Sequence, residues 1–125
     1  MKTKNHTTTF ASVDPASGTS SQQTQAYSSA RGWEKRGLID RRFAGAIVCA
    51  KDDNVGITTV KLYHTISSTS YLMDSVTLSA GKSAVWTEED YGIVLGKNDF
   101  VKIVVTAGSV GDEANCWVNT YDTYI

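Results

Sequence analysis

The chain has 125 residues, 41% of them hydrophobic and 20% charged, with a formal net charge of −1. That length supports one domain able to bury roughly two-thirds of its unfolded surface, and the composition is that of a globular protein rather than a disordered or fibrous one. A charge so near zero supplies no global field toward nucleic acid or an anionic membrane, and the longest apolar runs, such as Ile103-Val104-Val105, are far too short to span a bilayer.

Residues 1–29 differ in composition from the rest of the chain. Six Thr, six Ser and three Gln fill them, and their only charges are Lys2, Lys4 and Asp14. Such a segment buries too little apolar surface to offset its own ordering entropy, so it is expected to be a tail, or an arm that orders on a partner. Thr7 to Val13, closed by Asp14-Pro15, has the composition of one strand added to a neighbouring sheet. No apolar run follows Met1-Lys2-Thr3-Lys4, so no secretion signal is expected. Ala26, Ala30 and Trp33 sit at helical spacing, weakened by Gly32, which predicts a short helix or irregular connector. Five basic residues stand against two acidic ones between Arg31 and Arg42. With no recognition motif beside them, these are read as a solvated connector whose Arg side chains pair with acidic surface, not as a nucleic-acid site.

From Phe43 onward the pattern is strand and turn. Phe43–Ala50 is an apolar run closed by Lys51-Asp52-Asp53-Asn54 and Gly56. Ile57 to Ile66 alternates, with Val60, Leu62 and Ile66 on one face and Thr59, Lys61 and Tyr63 on the other, and His64 falls on the apolar side. Tyr71-Leu72-Met73 and Val76-Thr77-Leu78 read as a strand broken by a bulge or bend at Asp74-Ser75.

Val76–Val105 frames the remainder: a strand ending in Ala80-Gly81, a second from Ser83 to Trp86, an acidic turn at Glu88-Glu89-Asp90, and two apolar runs around Gly96-Lys97-Asn98-Asp99 that predict a hairpin. Cys116 to Tyr124 then sets Cys116 and Val118 against Trp117, Asn119, Tyr121 and Thr123. Many short strands without a long helical period predict an all-β fold, an antiparallel β-sandwich of jelly-roll or Ig-like type with an extended polar N-terminal arm. The expected division is residues 1–42 as arm and connector and residues 43–125 as the sandwich domain.

Chemistry is sparse. Ala80-Gly81-Lys82-Ser83 copies the end of a phosphate-binding P-loop, but Val76 stands where the pattern needs Gly, and a strand follows where it needs a helix. Asp52-Asp53-Asn54 with Gly56 suggests a calcium loop, yet Tyr63 occupies the place of its last acidic ligand. Cys49 and Cys116 lack metal or redox spacing. No GxSxG elbow accompanies the serines, and His64 is the one candidate base outside the tail. No catalytic residue, metal ligand or cofactor is assigned, and no enzyme activity is expected.

The pieces Ala46-Ile47-Val48-Cys49, Thr59-Val60-Lys61-Leu62-Tyr63, Val76 to Ser83, and Gly92 to Ile103 occur in an order that resembles small β-sandwich virion proteins of tailed bacteriophages. The resemblance implies a non-enzymatic structural subunit repeated by symmetry, as capsid decoration or at the neck or tail. Its partners would be copies of itself and other virion proteins, and it would be assembled in the cytoplasm of a bacterial host. The polar N-terminal segment and the loop Val110 to Asn115 have no counterpart in that pattern. Aromatic and Arg residues anchor interfaces, which makes Phe10, Tyr27, Arg31, Trp33 and Arg36 interface candidates in the first part of the chain. Arg41, Arg42, Tyr121 and Tyr124 are the candidates beyond it. Neither membrane nor nucleic acid is expected as a partner. The alternative is a carbohydrate-binding module that presents exposed aromatics, Trp86 and Trp117 among them, to a glycan.

Overall fold

The computed structural model describes residues 2–10, 21–26, 38–96 and 99–124. The described strands are β1 (Lys2–Phe10), β2 (Ser21–Ala26), β3 (Leu38–Ala50), β4 (Thr58–Ile66), β5 (Thr69–Leu78), β6 (Ser83–Thr87), β7 (Phe100–Thr106) and β8 (Ala114–Tyr124), with one short helix, α1 (Glu88–Tyr91). They form two antiparallel four-stranded sheets, the first ordered β1-β8-β3-β6 and the second β2-β7-β4-β5.

The pairing is nested: β4 with β5, β3 with β6, β2 with β7 and β1 with β8, as in one long folded ribbon. Rolling the ribbon adds β3 to β8 and β4 to β7. This strand order is the jelly roll, which decides between the two sandwich types the sequence leaves open.

Period-two alternation builds the core between the sheets. Val60 and Leu62 of β4, Val101, Ile103 and Val105 of β7, and Cys116 and Val118 of β8 are buried, while the residues between them stay partly exposed. On β3 the alternation is interrupted. Phe43 and Ala46 are both buried because the register with β8 shifts between Phe43 and Gly45. Gly45 makes that shift feasible: its φ is +136°, and a Cβ there would meet the Trp86 carbonyl oxygen at 2.7 Å.

Several expectations meet a different structure. The runs around Gly96 do not form a hairpin. The Phe43 amide bonds the Ile93 carbonyl at 2.9 Å and the Leu95 amide bonds the Arg41 carbonyl at 2.8 Å, so residues 93–95 line β3 in the first sheet while β7 belongs to the second. The turn, closed by the Asp99 amide on the Gly96 carbonyl and the Gly96 amide on Asp99 Oδ2, is a crossing between sheets. Burial of Leu95 accounts for it, since Leu95 turns into the core before the chain crosses.

The bend expected at Asp74-Ser75 is a bulge one residue earlier: Leu62 pairs with Asp74 and Tyr63 with Leu72, leaving Met73 as the extra residue in an otherwise continuous β5. The acidic turn is α1, capped by Thr87, whose side chain accepts from the Asp90 amide. Ser21–Ala26 is a strand, and residues 27–37, where the rest of the predicted helix or connector falls, lie outside the described residues. Position 42, the expected division of the chain, falls inside β3.

Candidate functional site

Among the described residues no group of three His, Cys, Asp or Glu converges on a point a metal could occupy. One loop carboxylate has structural work: Asp112 accepts from the Val55 and Gly56 amides at 2.8 and 2.9 Å. A cleft of about 280 Å³ lies at the edge of Cys49, Ala50, Lys51, Glu113, Ala114 and Asn115, where Lys51 Nζ stands 3.3 Å from Glu113 Oε2. Both cysteines are free. Burial pushes the Cys116 thiol up to about 12, so it is an inert core residue, and the alternation of β3 turns Cys49 to the other side of the sheet.

The interface candidates divide sharply. Tyr27, Arg31, Trp33 and Arg36 lie outside the described residues, and Phe10 is placed only by register, opposite Cys116. Arg41 is fully buried: its Nε donates to Asp122 Oδ1 at 2.6 Å and its Nη2 to Asp122 Oδ2 at 2.9 Å. Tyr124 adds a hydroxyl donor to the same carboxylate at 3.2 Å. Buried Arg41 and partly exposed Tyr124 therefore meet on a carboxylate that no pattern in the sequence singles out.

Arg42 and Tyr121 are register partners that, like Tyr124 and unlike Arg41, keep some exposure. Arg42 pairs with Asp40 at 3.2 Å. The Tyr121 hydroxyl donates to Glu88 Oε1, and that bond, ahead of burial and the Glu88 charge, raises its pKa above the ordinary tyrosine value while Arg42 works the other way. The aromatic platform expected at Trp86 is absent: Trp86 is buried, and its indole N–H donates to Asp74 at 2.8 Å, tying β6 of one sheet to β5 of the other.

Exposed apolar side chains lie in loops, at Val55 and Val110, and on the outer faces of both sheets. On the first sheet, register aligns Val85, Ile47 and Trp117 side by side across β6, β3 and β8. Val85 is 60% exposed and Ile47 39%. On the second sheet, Leu72, Tyr63 and Lys102 align across β5, β4 and β7, with Lys102 Nζ 5.0 Å from the Tyr63 ring centre. Leu72 is 55% exposed. The first row was readable in principle, because the burial phase of Ala46 and Val48, Ala84 and Trp86, and Cys116 and Val118 turns the residues between them outward. What the sequence lacked was the register that sets them in line.

His64 sits where β4 leaves the core. Its Nε2 is buried with no partner, and desolvation lowers its pKa below the usual value, with Asp99 opposing. Above about pH 6.5 both folded and unfolded chains hold it neutral. Below that, the unfolded chain takes the proton first, and stability falls until the pH has passed the lower folded value. Urea midpoints measured from pH 8 to 5 are expected to drop below pH 6.5 in the wild type, with the drop reduced in His64→Phe.

No protein-family model matches the sequence, and no curated protein matches it. Solved structures with some likeness include Bacillus endospore appendages that form disulfide-linked pili, at 12% identity over 99% of this chain and 88% of that one, TM-score 0.47. The VP2 subviral particle of infectious bursal disease virus matches at 13% identity over 98% and 33%, TM-score 0.40. The Gx strain of that virus matches at 16% over 98% and 32%, TM-score 0.36. This chain spans about a third of the length of the viral chains. At these scores and identities the likenesses assign no function to it.

Proposed function

We propose that this protein is a non-enzymatic structural subunit that assembles in many copies by symmetry, as a virion protein of a tailed bacteriophage on the capsid or at the neck or tail. The observation that carries the reading is the exposure of large apolar side chains at outward strand positions: Val85 and Ile47, side by side on one sheet, and Leu72 on the other. Contiguous apolar surface on a folded sandwich marks association, and aromatic and aliphatic side chains on rigid strands make low-entropy contacts. Jelly rolls also serve as lectins and cupins. The lectin reading loses Trp86 to the core and keeps Trp117, on the outer face of the first sheet.

The N-terminal segment fits the same reading. β1 pairs with β8 over nine residues and β2 with β7 over six, each at a sheet edge. The same backbone partners can be supplied by a neighbouring copy, so an arm that crosses between subunits would exchange one set of pairings for an equivalent set.

Sedimentation velocity and electron microscopy of the full chain at rising concentration test the proposal. Regular closed or extended assemblies of one repeating unit are expected. A protein that stays monomeric throughout the accessible range, and is missing from purified particles of the phage that encodes it, would overturn the reading.

A further inference from the structure

We infer that the outer face of the first sheet of one copy seats the outer face of the second sheet of the next, a heterologous contact between two different surfaces of the same chain. This contact rests on the assembly reading and specifies its geometry. The first surface has an apolar centre, the row Val85, Ile47 and Trp117. At its end stands α1, whose Glu88, Glu89 and Asp90 are followed by no basic residue in the helix. The Tyr121–Glu88 bond fixes that acidic end against the outer face of β8. Arg42, the nearby base, is already paired with Asp40.

The second surface is complementary in both respects. Its centre is the row Leu72, Tyr63 and Lys102, and Lys61 stands two positions from Tyr63 on the same face of β4. No Asp or Glu occupies the outward strand positions of β4, β5 and β7. Asp74, the acid of β5, pairs with inward Leu62 and is spent on Trp86.

The signs decide the mode. Neither face carries free charge complementary to its own, so a two-fold dimer through either face gains no acid–base pairing. First face on second face sets apolar row on apolar row with acid opposite base. Because the two patches differ, each added copy presents a fresh patch, and the contact runs on into a ring or a filament.

Charge exchange tests this without touching the core. Lys61→Glu/Lys102→Glu and Glu89→Lys/Asp90→Lys are each expected to weaken self-association at least ~10-fold in low salt when alone, because each then presents like charges across the contact. An equimolar mixture of the two is expected to recover assembly, since every contact between unlike variants is again complementary. Val85→Asp, at an exposed position, is expected to abolish assembly with the thermal melt unchanged. If the wild type assembles and both double variants alone assemble equally well, or the mixture fails to recover, this contact is wrong while the assembly reading stands. A wild type that never assembles overturns both.

Discussion

Asp122→Ala is expected to destabilise the fold by about 3–5 kcal/mol, read as a large fall in the urea midpoint, because it removes the carboxylate that takes two donors of the buried, charged Arg41 guanidinium. Both partners of the pair are buried to the last per cent, side chain against side chain at 2.6 Å. Their strands hold them opposite each other, since Arg41 and Asp122 are register partners on β3 and β8. The two parallel donor–acceptor contacts have the fork geometry that makes Arg–carboxylate pairs strong. Removing one partner costs far more than removing both, because a paired buried charge recovers only what desolvation took from it. The double variant Arg41→Met/Asp122→Leu is therefore expected to regain most of the loss. A midpoint shift equivalent to less than about 1 kcal/mol, well under the cost of breaking a buried ion pair, would mean that the Arg41–Asp122 pair does not hold the core.

That pair also shows where sequence reasoning stops. Arg41 belongs to a basic run that looks like solvated surface, and its acid lies 81 positions away. Local pattern has no access to such a contact, which only the register of β3 on β8 creates. Strand content, by contrast, was legible wherever one face is buried: Thr59, Lys61 and Tyr63 against Val60 and Leu62, or Val101, Ile103 and Val105 against their neighbours, carry period two in their chemistry. Polar β1 and β2 carry no such alternation, and their place is fixed by backbone pairing with β8 and β7. The turn at Gly96 and Asp99 has the chemistry of a hairpin whether the chain doubles back or crosses to the other sheet. Which it does depends on Leu95 finding the core. The candidate surface was half legible for the same reason: alternation turns Ile47, Val85 and Trp117 outward, but their alignment is a property of three strands together.

Asp112→Ala is expected to cost about 3–5 kcal/mol, comparable to the buried pair, because one carboxylate holds two backbone amides through hydrogen bonds to a charged group, each worth about 1.5–3 kcal/mol. Asp112 is buried, and its Oδ1 and Oδ2 take the Val55 and Gly56 amides separately. Asn54 completes the clasp, donating to the Glu113 carbonyl at 2.8 Å and accepting from the Glu113 amide at 2.9 Å. The loops touch backbone to backbone here: a Cβ at Gly108 would lie 2.4 Å from the Ile57 carbonyl oxygen. Asp112→Asn keeps one acceptor and turns an amide donor toward the other N–H, so it is expected to lose about half as much. Hydrogen exchange separates this from general weakening: the Val55 and Gly56 amides should exchange far faster in Asp112→Asn, while those of Val101 and Ile103 follow only the global change. Equal acceleration at all four would mean that the clasp is not a separate unit. The clasp closes the end where β4 begins, and Tyr71 and Leu72 pair with β4 near its other end.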